Sequence, residues 1–238
     1  MQVVLLRVGI DTGSGGIHGP LFRDGSFEFV PIWDESGVNP QTYGNTSDRK
    51  HSRKLLDYFR EGLRERRRNT RLHDDPEFKT FTYGDPTPPK RGLRKLERRD
   101  LLVFYAGLAG WDYPCDPALY IIGYFEVEKA GLATDFSPSE IRKNFGRNFH
   151  VRHRVVFDNQ QKRLVLVKGS EKSRLLKKAE RLSVLGKDKR GSPIHVLSPK
   201  MRKVFGDFDG HISIQRSPPR WVYSGFVDKA ARFVWSLR

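Results

Sequence analysis

Cysteine is nearly missing from this chain. Cys115 stands alone among 238 residues, which excludes an internal disulfide and any cysteine-based zinc site. No apolar run approaches the ~18 residues needed to span a bilayer. The first residues, Met-Gln-Val-Val-Leu-Leu-Arg, lack the leading positive charge and long apolar stretch of a signal peptide and read as a strand. A reducing cytoplasm is the expected home, with no membrane partner. Internal repeats and low-complexity linkers are also absent, so residues 1–238 are expected to form one domain. No compact cluster of acids stands at metal-ligand spacing, which argues against a two-metal nuclease. The sequence assigns no residue to a metal and identifies no cofactor.

What the chain has in excess is positive charge. Lys and Arg number 44 against 28 Asp and Glu, a formal net charge of +16. Such an imbalance sets up a field that concentrates polyanions. Thermophile surfaces enrich both signs together, so they explain the surplus less well. Nucleic acid is the expected partner, DNA ahead of RNA. With 37% hydrophobic and 12% aromatic residues, the chain can also bury a core.

The coarse pattern predicts strands over residues 3–8 and 26–32. A basic helix is expected within 49–71, where Leu55, Leu56, Phe59 and Leu63 recur at helical spacing. The proline-rich stretch 84–91 reads as a loop, and the apolar runs 101–105 and 120–127 as strands. Ser137-Pro138-Ser139-Glu140 has the form of a helix start with a capping box, and Gly146 of its stop. Strands are expected at 151–157 and 163–167 around a turn at Asp158-Asn159, followed by a basic helix from Ser170 to about Ala179. The tail reads as short strands, a Pro218-Pro219 loop and an apolar segment, 226–237. The class is α+β: a mixed or antiparallel, barrel-like β core with peripheral basic helices.

Several motifs carry chemistry. Val8-Gly9-Ile10-Asp11-Thr12-Gly13-Ser14-Gly15-Gly16 resembles an aspartic-protease loop, but the second Asp-Thr/Ser-Gly that shares the proton is missing. It also resembles the first phosphate loop of actin-like ATPases, without the later acidic strand. A third reading is an anion nest at Ser14, Gly15 and Gly16, beside a simple turn needing positive φ. Asp11 and His18 are its candidate catalytic residues. Lys168-Gly169-Ser170 through Ser173-Arg174 reads as strand, glycine and helix start, a phosphate cradle; the alternative is ordinary capping. Arg216 and Arg220 flank a rigid proline pair beside Trp221, where arginines clamp phosphates and the indole stacks or else anchors the core. Arg64, Arg66, Arg67 and Arg68 complete the candidate phosphate contacts. Tyr105, Trp111 and Tyr120, with Trp221, are candidates for a base pocket, against a plain role in the core.

Four of these blocks in order, 7–16, 100–108, 168–176 and 215–221, resemble the third nucleotide-modification-associated domain family across nearly the whole chain. That resemblance implies work alongside DNA base-modification systems, with partners from such a system. Residues 92–128, through Leu93-Arg94-Lys95-Leu96, Leu102-Val103-Phe104-Tyr105 and Ile121-Ile122-Gly123 up to Glu126-Val127, are more weakly similar to EVE and ASCH members of the PUA-like barrels. This similarity implies a PUA-like core at about 92–170 that receives RNA or an extruded, modified base. Three functions stay open: a module reading or processing a modified or damaged DNA base, a base glycosylase or nuclease using Asp11 and His18, and an RNA- or tRNA-binding accessory protein.

Overall fold

The computed structural model describes residues 1–50, 52–208, 214 and 218–238. In chain order they form β1 (Val3–Arg7), β2 (Gly19–Leu21), β3 (Ile32–Trp33), α1 (Glu61–Arg67), β4 (Leu72–His73), β5 (Thr82–Asp85), β6 (Leu101–Gly110), β7 (Ala118–Leu132), α2 (Pro138–Phe145), α3 (Phe149–Arg152), α4 (Arg154–Gln160), β8 (Val165–Gly169), β9 (Arg174–Arg181), β10 (Ser183–Lys187), β11 (Pro193–Leu197), α5 (Pro199–Phe205), β12 (Arg220–Trp221) and α6 (Ser224–Ser236). Single 3-10 segments cover Leu55–Tyr58, Pro88–Lys95 and Ala133–Asp135.

The main sheet runs β12-β1-β6-β7-β8-β5, with β2 added to β6 and β9 to β7. β1 lies parallel to β6, while β6, β7 and β8 are successively antiparallel. Leu101 through Leu108 are all buried. A strand wet on one face would alternate, so this unbroken run marks one covered on both faces. β7 is long enough to serve two neighbours: its first part pairs with β6 and β9, and past a register irregularity at Val127/Lys129 it pairs with β8.

Aromatic packing then places the short strand that matters most. The Phe104 and Phe125 ring centroids are 4.6 Å apart, and Phe78 meets each edge-on at 5.6 Å. Tyr83 of β5 packs on Phe104 at 5.9 Å. Such pairs add about 0.5–1.5 kcal/mol each beyond burial, so the edge strand β5 is also tied through Tyr83 to central β6. A second apolar cluster, including Ile10, Val30, Tyr43, Phe59 and Leu72, supports the 10–72 region. A third, around Ile141, Phe145 and Leu166, supports α2.

The α+β class stands, and so does the mixed sheet. The described strands have two free ends, β12 and β5, so the sheet is open rather than a closed barrel. α2 starts where the capping box predicts: Ser137 Oγ accepts from Glu140 N–H, and Glu140 accepts from Ser137 N–H at 3.0 Å. Four local expectations are corrected. Residues 26–32 contribute only an isolated bridge, at Phe27, and the start of β3. The 49–71 helix shortens to α1, because Phe59 and Arg60 are extended and break it. Residues 151–157 are helical rather than a strand, and Asp158-Asn159 continues α4 instead of turning. The basic helix after Ser170 is instead β9, with exposed Arg174, Lys177 and Lys178 on a strand. Among the described residues no helix is long and apolar enough to cross a membrane.

Candidate functional site

A cavity of about 540 Å³ opens between the end of β1, the β3 turn, β4, β5 and the α3–α4 pair. Its lining is acidic. Asp11, Asp34, Glu35, Asp75 and Asp85 face it, against Arg7 and Lys90. Both cations are already engaged: Arg7 pairs with Asp11 at 2.7 Å and Lys90 with Asp85 at 3.4 Å. Trp33 and His73 supply flat walls, and His73 stacks on the buried Phe149 at 4.1 Å.

On the cavity wall His73, Asp75 and His150 converge, each with a ligand atom within 4.8 Å of the others. Local structure explains the convergence. His73 ends β4 and Asp75 follows it two residues on, its N–H bonded to His73 O at 3.0 Å. Asn148 caps α3 by accepting from His150 N–H at 3.0 Å, which aims His150 at the same point. Gly84 of β5 donates its N–H to Asp75 Oδ2 at 2.7 Å. Any Cβ there would lie 2.8 Å from Asn148 Oδ1 and 2.9 Å from His150 Cδ2, so only glycine permits this approach.

His150 Nδ1 lies 2.7 Å from Gln160 Oε1. That oxygen can only accept, so the imidazole proton sits on Nδ1 and Nε2 carries a lone pair. Nε2 stands 3.6 Å from Asp75 Oδ2, with the two side chains 3% and 1% exposed. Burial pushes the Asp75 carboxyl well above the usual carboxylate range, with the Gly84 N–H and Asn148 only partly offsetting it. Burial lowers His150, and burial with His150 nearby takes His73 down to about 3. Both rings are thus neutral and free to coordinate. Asp75 Oδ1 is buried without a well-formed hydrogen bond.

The glycine loop meets this cavity along one edge. Asp11 Oδ1 accepts from Ser14 N–H at 2.7 Å and from Ser14 Oγ at 2.9 Å, while Ser14 and Gly16 N–H donate to Asp11 O. The N–H groups expected to cradle an anion at Ser14 and Gly16 are consumed by Asp11 itself; Gly15 instead packs against Ile10. Gly9 and Gly16 take positive φ, as the turn reading requires. Asp11 also borders a second recess of about 390 Å³, shared with His18, His195 and Arg7. Asp11 and His18 do therefore face one space, separated from the His73 cluster by the Arg7–Asp11 pair.

The other predicted residues scatter. Ser170 lines a distant surface recess with Arg98, Arg99 and Lys172 that shares no lining residue with the main cavity. Its helix start does not exist, and Ser173 is buried, its Oγ accepting from Glu126 N–H at 3.1 Å. Lys168 turns inward to the Thr80 carbonyl, and burial lowers its pKa. Arg174 lies over the Tyr124 ring at 5.8 Å. In α1, Arg64 is tied to the Asp57 and Phe59 carbonyls, each at 3.0 Å. Arg66 and Arg68 stay exposed, with Arg68 3.7 Å from Glu65. Arg67 covers Trp33 at 5.0 Å, which joins the basic helix to the cavity rim. Arg220 sits in β12 with its Nε buried and unpartnered, and Arg216 lies outside the described residues.

The expected aromatic base pocket is corrected. Tyr105 is fully buried, its hydroxyl bonded to Ile214 O at 2.9 Å, and Tyr120 is 5% exposed, so neither offers a face to a base. Trp111 packs on Tyr58 at 5.0 Å and Trp221 against the main core. The accessible aromatic wall is Trp33 and His73 instead, with Phe149 buried behind His73. His73, Asp75 and His150 were missed in the sequence. Their only local signal is His73-Asp74-Asp75, a His-x-Asp spacing, and its partner lies 75 residues downstream of Asp75, one residue before the segment expected as a strand.

The fold and site define an α+β protein with an open acidic cavity and a His/Asp cluster on its wall. The chain belongs to the nucleotide modification associated domain 3 family, whose model matches residues 2–235. No curated protein and no solved structure matches it.

Proposed function

We propose that this protein, in the nucleotide-modification setting its family indicates, holds DNA on a basic exterior and takes one base into the acidic cavity. The carrying observation is that a chain of net charge +16 contains a cavity lined by five carboxyl groups and two already paired cations. Phosphate is repelled from such a space. A base is not: carboxylates accept from exocyclic amines, as Asp and Glu do from cytosine N4. Flat walls at Trp33 and His73 then stack it, repaying the few kcal/mol that extrusion costs. Arg66 and Arg68 hold phosphates near the rim, next to the Arg67–Trp33 stack. On this reading residues 1–238 act as one domain, and proteins of a base-modification system are the expected partners.

The chemistry belongs to the cavity. Asp11, held by Arg7 and Ser14, orders its edge, with His18 behind it. The test is binding of short duplex and single-stranded DNA, with plain or modified bases, and of tRNA at ~50 mM salt, where phosphate contacts are strongest. DNA with an extrudable or modified base should bind tightest, and prolonged incubation should yield an altered base or abasic site. No DNA binding at that salt overturns the reading, and a tRNA preference replaces it with the RNA-accessory function.

A further inference from the structure

We propose that His73, Asp75 and His150 bind one divalent first-row transition-metal ion, leaving coordination positions open to the cavity. Such a site stands independently of DNA binding, since the cavity wall alone forms it. Two acceptor atoms, the His150 Nε2 lone pair and Asp75 Oδ2, face each other at 3.6 Å. That is too long for a hydrogen bond, so neither atom satisfies the other, and an ion seated between them would be ligated by both. Asp75 Oδ1 is buried without a well-formed hydrogen bond, and so is Asn148 Nδ2. Among the described residues His150 is the one ion-pair partner Asp75 has, and its imidazole proton is directed away, to Gln160.

A metal ion would engage these unsatisfied atoms together. The three ligand atoms lie within 4.8 Å of one another, so inward shifts of ~0.6 Å each bring them to the ~2.0–2.2 Å of metal–nitrogen and metal–oxygen bonds. Two imidazoles and one carboxylate suit iron(II), zinc or cobalt(II); magnesium and calcium prefer all-oxygen sets. Three protein ligands beside a cavity leave room for water or substrate, the pattern of catalytic rather than closed structural sites. Gln160 holds the His150 tautomer, the usual task of a residue behind a ligating histidine.

The full chain, stripped with chelator, is titrated with cobalt(II) and followed by visible absorption and proton NMR. One equivalent should bind, with paramagnetically shifted N–H signals from two imidazoles. Asp75→Asn is nearly isosteric and should weaken binding at least ~100-fold, more than the ~10–100-fold expected of Gln160→Ala. Metal should raise the melting temperature of the wild type but not that of Asp75→Asn. Asp11→Asn, on the same cavity, should bind as the wild type does. Absence of stoichiometric binding overturns the proposal, as do shifted signals that include no histidine or an Asp75→Asn titration equal to wild type. Failure of DNA binding with the cobalt site intact would sink only the DNA reading.

Discussion

The exposed side of α1 and the cavity behind Trp33 are neighbours with opposite character. Arg66 and Arg68 stand in solvent, where water and salt screen them, and each is worth little singly. Asp75 and His150 are enclosed, where an uncompensated charge costs several kcal/mol. The exterior can attract any polyanion and discriminate weakly. The interior can accept only what matches its donors, acceptors and volume. On the proposed DNA reading, affinity and selectivity fall to different places in the molecule, and Trp33, which Arg67 covers and which lines the cavity, is the seam between them.

The most severe challenge to this division is salt. If the exterior supplies the affinity through six or more phosphate contacts, DNA binding should fall ~10³-fold or more between ~50 and ~200 mM salt. Arg66→Ser with Arg68→Ser should lower the log–log slope by about 2 without changing the preference among bases. A flat salt response would move the affinity into the cavity and erase the contrast. Trp33→Ala comes next in size. Loss of a stacking platform costs ~1–3 kcal/mol per base, so base preference should drop roughly 5–150-fold while the salt slope holds, as fluorescence anisotropy on plain and modified duplexes would show. Loss of the slope instead would make Trp33 part of the exterior.

Gly84→Ala tests the interior alone. Its Cβ would press on Asn148 Oδ1 and His150 Cδ2 at 2.8 and 2.9 Å, and overpacking of this kind costs ~1–3 kcal/mol. For a chain of this length that lowers the melting temperature by roughly 2–12 °C. Thermal unfolding and plain-DNA binding, measured together, should show lower stability with unchanged affinity. An unaltered melting curve would mean that the cavity wall yields.

Legibility divides along the same line. The apolar runs at 101–105 and 120–127 identify β6 and β7 because continuous burial leaves a continuous pattern, and Ser137 to Glu140 identifies α2 because a cap is local chemistry. β9 was read as a helix because Lys177 and Lys178, with Ser170 before them, resemble a capped basic helix; pairing with β7 overrides that preference. The 151–157 segment goes the opposite way: its valines suggest a strand, while packing of α3 against α4 and β5 sets the outcome. The surface cations were visible as composition. The His73–Asp75–His150 cluster was not, since it exists only through contact between β4, β5 and α3, and no residue window contains it.

The smallest expected effect concerns the second recess, where Arg7 and Asp11 separate His18 from the main cavity. Burial lowers the His18 pKa from its ordinary 6.5, and His195, Arg7 and Arg60 push the same way while Asp11 opposes them. The folded state therefore holds this ring neutral at a pH where the unfolded chain has begun to protonate it. Below pH 6.5 the unfolded state binds more protons, so this contribution costs stability as pH falls and vanishes above 6.5. His18→Gln should flatten the dependence of urea-unfolding midpoints between pH 6.5 and 5 while leaving the pH 8 midpoint nearly unchanged. A steeper dependence in the variant would mean that Asp11 outweighs burial and that His18 is charged in the fold, which would make the recess an anion-binding extension of the exterior.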